Sequence, residues 1–197
     1  MKKLDILPIG LYEENVYLLH EDGHVLIIDP GCKAKEIQKY INDEVVDGII
    51  LTHGHEDHAL GVDDLVDIYH CPIYMHEDEI PLVNQSYAND LPYFEVIYNT
   101  ITPIKEDETI GQFNLHILHT PGHTAGSICI QYKEYLFTGD TLFAGSIGRC
   151  DLYSGDEATM MESLKIFKSL DHSLQIYPGH GPSSTIGFEL EHNSYLI

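Results

Sequence analysis

Four times along this chain an apolar run, strand-like in length, ends in a glycine-containing turn that carries a metal-binding residue type. The turns follow Leu51, Leu118, Phe137 and Tyr177. The first is the densest: Gly48-Ile49-Ile50-Leu51 runs straight into Thr52-His53-Gly54-His55-Glu56-Asp57-His58, and a helical pattern begins near Ala59. Strand, turn and helix in that order hold side chains at the open end of a sheet. Imidazole and carboxylate together suit zinc, iron or manganese. His53 and His55, two apart in an extended turn, can aim at one ion, and Asp57 and His58 at a second. Singly, each has a plainer role, since Asp57 can cap the following helix and a turn histidine can be a solvated side chain. Four strand ends converging on one edge are the architectural reason to pool His53, His55, Asp57, His58, His123, Asp140 and His180 as metal ligands. Glycine allows the sharp turns and close approach that such an edge needs.

The pattern around these turns is α+β. Leu4 to Ile9, Asn15 to Leu19 and His24 to Ile28 have strand character, with turns at 8–10 and 21–23. Asp29-Pro30-Gly31 ends the third strand, and Asp29 serves either as a turn carboxylate or as a support that holds a ligand histidine by its free N–H. Ile37, Tyr40 and Ile41 predict a helix from about Ala34, and Val62, Leu65, Val66 and Tyr69 another. A short strand from Pro72 to His76 and a short helix follow. Residues 85–103, with Tyr87, Tyr93, Phe94 and Tyr98, form a long loop of the kind that packs or contacts a ligand. Phe113, Leu115 and Ile117 alternate with Asn114 and His116, so His116 faces solvent and His119 falls on the apolar face as a buried histidine. Strands from Ser127 to Tyr132 and Tyr135 to Thr138 lead to Gly139-Asp140. Asp156 caps a helix whose Met160, Leu164 and Phe167 face inward, the last strand spans Leu174 to Tyr177, and a final helix begins near Thr185. No composition break divides residues 1–197, which are expected to form one domain of two packed sheets with helices outside.

Charge narrows the partners. Ten lysines and arginines against 32 acids give a formal charge of −22. A nucleic-acid partner needs cationic surface, and an anionic substrate gains no long-range attraction here. No apolar run approaches the ~20 residues of a membrane span, no signal peptide is visible, and four cysteines form no C-x-x-C pair. A cytoplasmic protein with reduced thiols is the expectation.

The segments T-H-G-H-E-D-H at 52–58, T-P-G-H-T at 120–124, T-G-D at 138–140 and P-G-H-G at 178–181 resemble those of the metallo-β-lactamase-fold hydrolases. The resemblance implies an αββα sandwich with two mixed β-sheets flanked by helices and a two-metal site between the sheet edges. It implies that His53, His55 and His123 hold the first ion, that Asp57, His58 and His180 hold the second, and that Asp140 bridges them. The ions would be zinc, with iron or manganese as alternatives. Gly139-Asp140-Thr141-Leu142-Phe143 and Gly145-Ser146-Ile147-Gly148-Arg149 resemble the glyoxalase II group, which hydrolyses hydroxyacylglutathione thioesters. The chain ends at Ile197, short of the helical domain that full-length glyoxalase II adds, so the resemblance is to the shorter branch. In such enzymes a basic residue near Arg149 meets the thiol substrate, although the aromatic that commonly follows is Cys150-Asp151 here. An ion pair of Arg149 with Asp151 or Asp156 is the plainer role.

Two divalent ions can activate water between them and polarise a carbonyl, and zinc alone brings bound water to a pKa of roughly 7. Asp140 would orient the nucleophile and Asp57 accept its proton, as the catalytic carboxylates. The expected substrate is a small acyl thioester. Two alternatives are hydrolysis of another ester or lactone and an iron-dependent persulfide dioxygenase. The dioxygenases share the four motifs but commonly place aspartate after the last histidine, where Gly181 stands here, which favours the hydrolase.

Overall fold

The structure, a computed structural model, describes residues 3–9, 13–84 and 91–197; the turn residue Gly10 and Tyr87 lie outside them. Three consecutive antiparallel strands, β1 (Lys3–Ile9), β2 (Glu14–Glu21) and β3 (His24–Ile28), start the first sheet. β4 (Val45–Ile50), β5 (Ile73–Met75) and β6 (Ile101–Pro103) extend it in parallel. The six strands lie in sequence order. The connections carry α1 (Ala34–Ile37), α2 (Glu56–Ala59), α3 (Val62–Tyr69) and α4 (Ile80–Val83).

The second sheet contains β7 (Asp107–Ile110), β8 (Phe113–His119), β9 (Ile128–Tyr132), β10 (Tyr135–Gly139), β13 (Gln175–Pro178) and β14 (Ser184–Thr185), in the order β14-β13-β10-β9-β8-β7. Only β10 and β13 pair in parallel. A small hairpin, β11 (Leu142–Phe143) and β12 (Ser146–Ile147), branches off after β10. α5 (Glu157–Ser163), continued by a 3₁₀ turn (Leu164–Ser169), and α6 (Ile186–His192) complete the chain. As the sequence predicts, the Asp156 side chain caps α5 by accepting from the Thr159 N–H at 2.7 Å.

Side-chain alternation sorts these residues into three apolar layers. Along β2 and β3, Tyr17, Leu19, Leu26 and Ile28 point between the sheets, while Val16, Leu18, Val25 and Ile27 point to the helices of the first half. Period-2 alternation with both faces covered is why these strands and β4 are nearly continuous apolar runs. The second sheet does the same: Ile117, Ile130 and Phe137 meet the first sheet, and Leu118, Cys129 and Leu136 meet α5 and its neighbours. The result is the αββα sandwich with two mixed sheets. Among the described residues no helix is long and apolar enough to cross a membrane.

Three local expectations change. α1 is a single turn, and Tyr40 is exposed. The 85–103 segment is not loop throughout, because 101–103 pair with β5. His119 is exposed although alternation puts it on the inter-sheet face of Ile117, because it ends β8 at the rim of the sandwich.

Phe113 is fully buried between the sheets. Phe113→Ala should destabilise the fold by about 3–5 kcal/mol, seen as a lower denaturant midpoint with an unchanged slope in equilibrium unfolding.

Candidate metal centre

The four turns meet at one rim of the sandwich, and each is fixed by buried polar contacts. Asp29, at the end of β3, accepts from the Thr52 N–H at 2.7 Å, the Thr52 hydroxyl at 2.6 Å and His58 Nδ1 at 3.0 Å. With its hydroxyl proton given to Asp29, Thr52 accepts from His53 Nδ1 at 3.1 Å. The Thr52 carbonyl in turn accepts from the Ile128 N–H at 3.0 Å and ties the two sheets together. On the far side β2 holds the last turn: Tyr17 Oη and Asn15 Nδ2 donate to the Pro178 carbonyl at 2.5 and 3.0 Å, and Asn15 Nδ2 reaches the Gly181 carbonyl at 2.9 Å.

All seven pooled side chains come together there. Donor atoms lie within 4.8 Å of one another in each of three overlapping groups: His53, His55 and His123; His53, His58 and Asp140; and Asp57, His58 and His180. His55 Nδ1 and His123 Nε2 face each other at 2.9 Å. Asp140 lies between the groups, with Oδ1 3.4 Å from His58 Nε2, and Oδ2 3.5 Å from His123 Nε2 and 3.7 Å from His180 Nε2. Asp57 Oδ2 is 3.4 Å from His180 Nε2. Asp57 stands in the first turn of α2 rather than at its N-cap, a position taken by His55.

The donor chemistry fits bound cations. His53, His58 and His123 each engage Nδ1 with an acceptor, the last through the Arg149 carbonyl at 2.7 Å. An N–H so occupied leaves Nε2 as the electron-pair donor, the usual arrangement of a ligating imidazole. The Nε2 atoms of His53, His55 and His58 and Oδ1 of Asp140 are buried with no hydrogen-bond partner. Several such atoms together in one place call for a cation.

Electrostatics keep most of these groups in ligating form. Burial, then the neighbouring imidazoles, lowers His53 well below the ordinary range and His55 to about 3. Burial raises Asp140, but His58, His123 and His180 outweigh it and hold its carboxylate well below the usual range. For Asp57, likewise, burial is outweighed by the bond from His180. His58 goes the other way: burial opposes its charge, but Asp140 and Asp29 raise it above the ordinary value.

The centre opens into a cavity of about 400 Å³. Tyr93, Phe143 and Leu152 form its apolar wall, and Glu56 and Arg149 stand on its rim. Arg149, 60 % exposed, makes a two-pronged ion pair with Asp151 at 2.6 and 2.8 Å. The aromatics of the 85–103 segment divide: the Phe94 ring is buried 4.7 Å from His55, Tyr93 lines the cavity, and Tyr98 is exposed.

Beside the ligand turns, two buried carboxylates escaped the sequence reading. Glu79, fully buried, accepts from the Gly54 N–H at 2.9 Å, the Thr124 hydroxyl at 2.8 Å and the Gly126 N–H at 2.9 Å, and so joins the first ligand turn to the second. Burial pushes it up to about 7. Glu14, also buried, has neither oxygen hydrogen-bonded, and Oε1 lies 3.9 Å from His58 Nδ1. Burial raises it well above the carboxylate range. In so acidic a chain neither stands out by type. The one local hint for Glu79 is its place just beyond the apolar β5.

The profile of the Metallo-beta-lactamase superfamily matches residues 9–180. The probable metallo-hydrolase YqgX of Bacillus subtilis is 32% identical over 202 residues, covering 96% of this chain and 95% of that protein. The hydroxyacylglutathione hydrolase GloC of Haemophilus influenzae is 32% identical over 208 residues, covering 98% and 97%. A solved structure, TTHA1623 in a di-iron-bound form, has 30% identity and a TM-score of 0.86, covering 98% of this chain and 100% of that one.

Two substitutions probe the supports. A Cβ on Gly179 would lie 2.3 Å from Asp140 Oδ1 and 2.6 Å from His58 Cε1. Gly179→Ala should therefore lower the metal retained after gel filtration and the melting temperature together. Glu79→Gln sets an amide N–H against at least one backbone donor and should cost about 1–3 kcal/mol. A carboxyl raised by folding binds its proton more tightly folded than unfolded. Its contribution is complete below about 4.5 and is lost as pH rises through about 7. The stability gap between wild type and Glu79→Gln should shrink across that window in chemical denaturation.

Proposed function

This chain belongs to the metallo-beta-lactamase superfamily and is a metallo-hydrolase of that superfamily, and on that premise we propose that it hydrolyses small acyl thioesters at a two-ion centre. In this reading His53, His55 and His123 hold one ion, Asp57, His58 and His180 the other, and Asp140 is shared. The observation that carries it is the position of Asp140, whose carboxylate lies within 3.4–3.7 Å of nitrogens from both groups at the floor of an accessible cavity. Zinc suits these nitrogen and oxygen donors, and iron or manganese fit the same set; the di-iron form of TTHA1623 makes iron a real alternative. When bound, the ions supply Lewis-acid polarisation of the carbonyl and acidify water.

The chain's own groups do the rest. Asp140 orients the attacking water between the two histidine sets. Asp57, beside His180 and facing the cavity, is placed to take the proton that the water sheds. A thiolate is a good leaving group and needs no dedicated acid. Tyr93, Phe143 and Leu152 receive the acyl and thiol carbons and thin the water around them.

The relative GloC supports hydroxyacyl thioesters as the substrate class. The charge of −22 and the rim carboxylate of Glu56 disfavour the anionic glutathione carrier. Among the described residues of the cavity wall Arg149 is the one arginine or lysine, and it contacts a substrate carboxylate by exchanging out of its pair with Asp151.

Release of free thiol from a panel of thioesters, with zinc-, manganese- and iron-loaded protein, tests the reading. Turnover should be highest for short hydroxyacyl esters of small or neutral thiols, with a high KM for S-lactoylglutathione. No thioester turnover, together with oxygen consumption by iron-loaded protein given glutathione persulfide, would make it a dioxygenase. Turnover of lactones, simple esters or a β-lactam in place of thioesters would change the substrate class. Arg149→Ala should raise KM several-fold for carboxylate-bearing thioesters only, with an unchanged melting temperature, because an exposed ion pair adds little stability. An unchanged KM with a lower melting temperature would assign Arg149 to the loop alone.

A further inference from the structure

Outside the cleft, one other cluster among the described residues brings two imidazoles and a carboxylate together. His76 and Asp78 lie in the turn between β5 and α4, and His119 ends β8 on the other sheet. Their donor atoms lie within 4.8 Å of one another. The two rings are stacked, with centroids 3.8 Å apart and planes 15° from parallel. Asp78 Oδ2 is 3.7 Å from His76 Nδ1. None of the three lines the cavity or belongs to the seven residues of the cleft.

Hydrogen bonding fixes the tautomers. His119 Nε2 lies 3.0 Å from the Ala125 carbonyl, and a carbonyl only accepts, so Nε2 carries the proton and Nδ1 the lone pair. His76 Nδ1 accepts the Asp78 N–H at 3.3 Å, so this nitrogen also carries a lone pair. His119, which donates one N–H to a carbonyl and keeps a lone pair on its other nitrogen, has the arrangement of a ligating histidine, whereas the lone pair of His76 is held by the Asp78 N–H until an ion takes it. Burial, then the proximity of His119, lowers His76 below its ordinary value, which keeps that ring neutral near pH 7. Glu77 and Asp78 add negative charge beside it.

We propose that His76 Nδ1, His119 Nδ1 and an Asp78 carboxylate oxygen form a second, separate metal site on the surface. Two nitrogens and one carboxylate oxygen suit Zn²⁺, Ni²⁺ or Cu²⁺. Two donors on a tetrahedral zinc lie ~3.4 Å apart, so closure needs a shift of up to ~1.4 Å, a swing of the stacked rings toward a common point, and release of the Asp78 N–H from His76 Nδ1. Asp78 and His119 are exposed, so that movement is cheap and water fills the remaining positions. Such a site exchanges its ion freely and binds more weakly than the buried cleft. Its ion would also brace the fold, linking the turn that carries Glu79 to the strand that leads into His123. The proposal does not rest on the thioesterase reading.

The test is calorimetric titration of Zn²⁺ into protein whose cleft ions are already in place, with metal content counted in parallel. Wild type should take up one more zinc than His76→Ala or His119→Ala, and its melting temperature should rise with added zinc in a way both variants lose. Asp78→Asn should weaken that step about tenfold, and none of the three should alter turnover of whatever substrate the cleft accepts. Because the comparison is a difference of one ion, it holds however many ions the cleft retains. Should His119→Ala fail to fold, His76→Ala, confined to the turn, decides alone. The same zinc uptake and affinity in wild type and His76→Ala overturns the proposal, as does an added zinc lost on His116→Ala instead.

Discussion

Buried histidines with one nitrogen satisfied and the other bare are the constraint on which this structure turns. His53 and His58 give Nδ1–H to Thr52 and Asp29, and their Nε2 atoms face the cleft with no hydrogen-bond partner. A buried polar atom left unpaired costs on the order of 1–3 kcal/mol. His55 Nε2 and Asp140 Oδ1 repeat the cost in the same small volume. A fold carries such a concentration where the donors serve an ion. The rest of the chain holds them in place against their tendency to find other partners.

The sandwich does this by making the supports deeper than the donors. Asp29 fixes the first turn from the end of β3, and the Thr52 carbonyl ties that turn to β9 in the opposite sheet. Glu79 reaches from the end of β5 to both the first and second turns. Asn15 and Tyr17 of β2 hold the fourth by its carbonyls. Backbone geometry completes the arrangement, because Gly179 lets the last turn pass against Asp140 and His58 where no side chain fits. The first turn is thus bonded to β9 and the fourth to β2, each a strand of the sheet it does not belong to, which ties the cleft to the inter-sheet core.

The fold was largely legible in the sequence because its signals are local. Apolar runs buried on both faces, glycine turns and the Asp156 cap each act over a few residues, and the structure contains them. The gathering of His53, His55, Asp57, His58, His123, Asp140 and His180 was legible for a related reason: each follows the end of a strand, and those strands end on one rim. What escaped depends on distance along the chain. Glu79 is identified only by its bonds to Gly54 and Gly126, 25 and 47 residues away, and Arg149 supports His123 through its carbonyl, which residue type does not encode. His119 was misplaced because, although it keeps the alternation of β8, it ends the strand at the rim of the sandwich, where that face is no longer covered. The same misplacement hid its stacking on His76.

The central claim is that one cleft holds two ions with Asp140 between them. Crystals of metal-loaded protein, with anomalous difference maps recorded on either side of the absorption edge, test it most directly. The account predicts two peaks about 3.5–4 Å apart, one within bonding distance of His53, His55 and His123, the other of Asp57, His58 and His180, with Asp140 touching both. A single peak in fully loaded protein, or two peaks with Asp140 bound to neither, would contradict it.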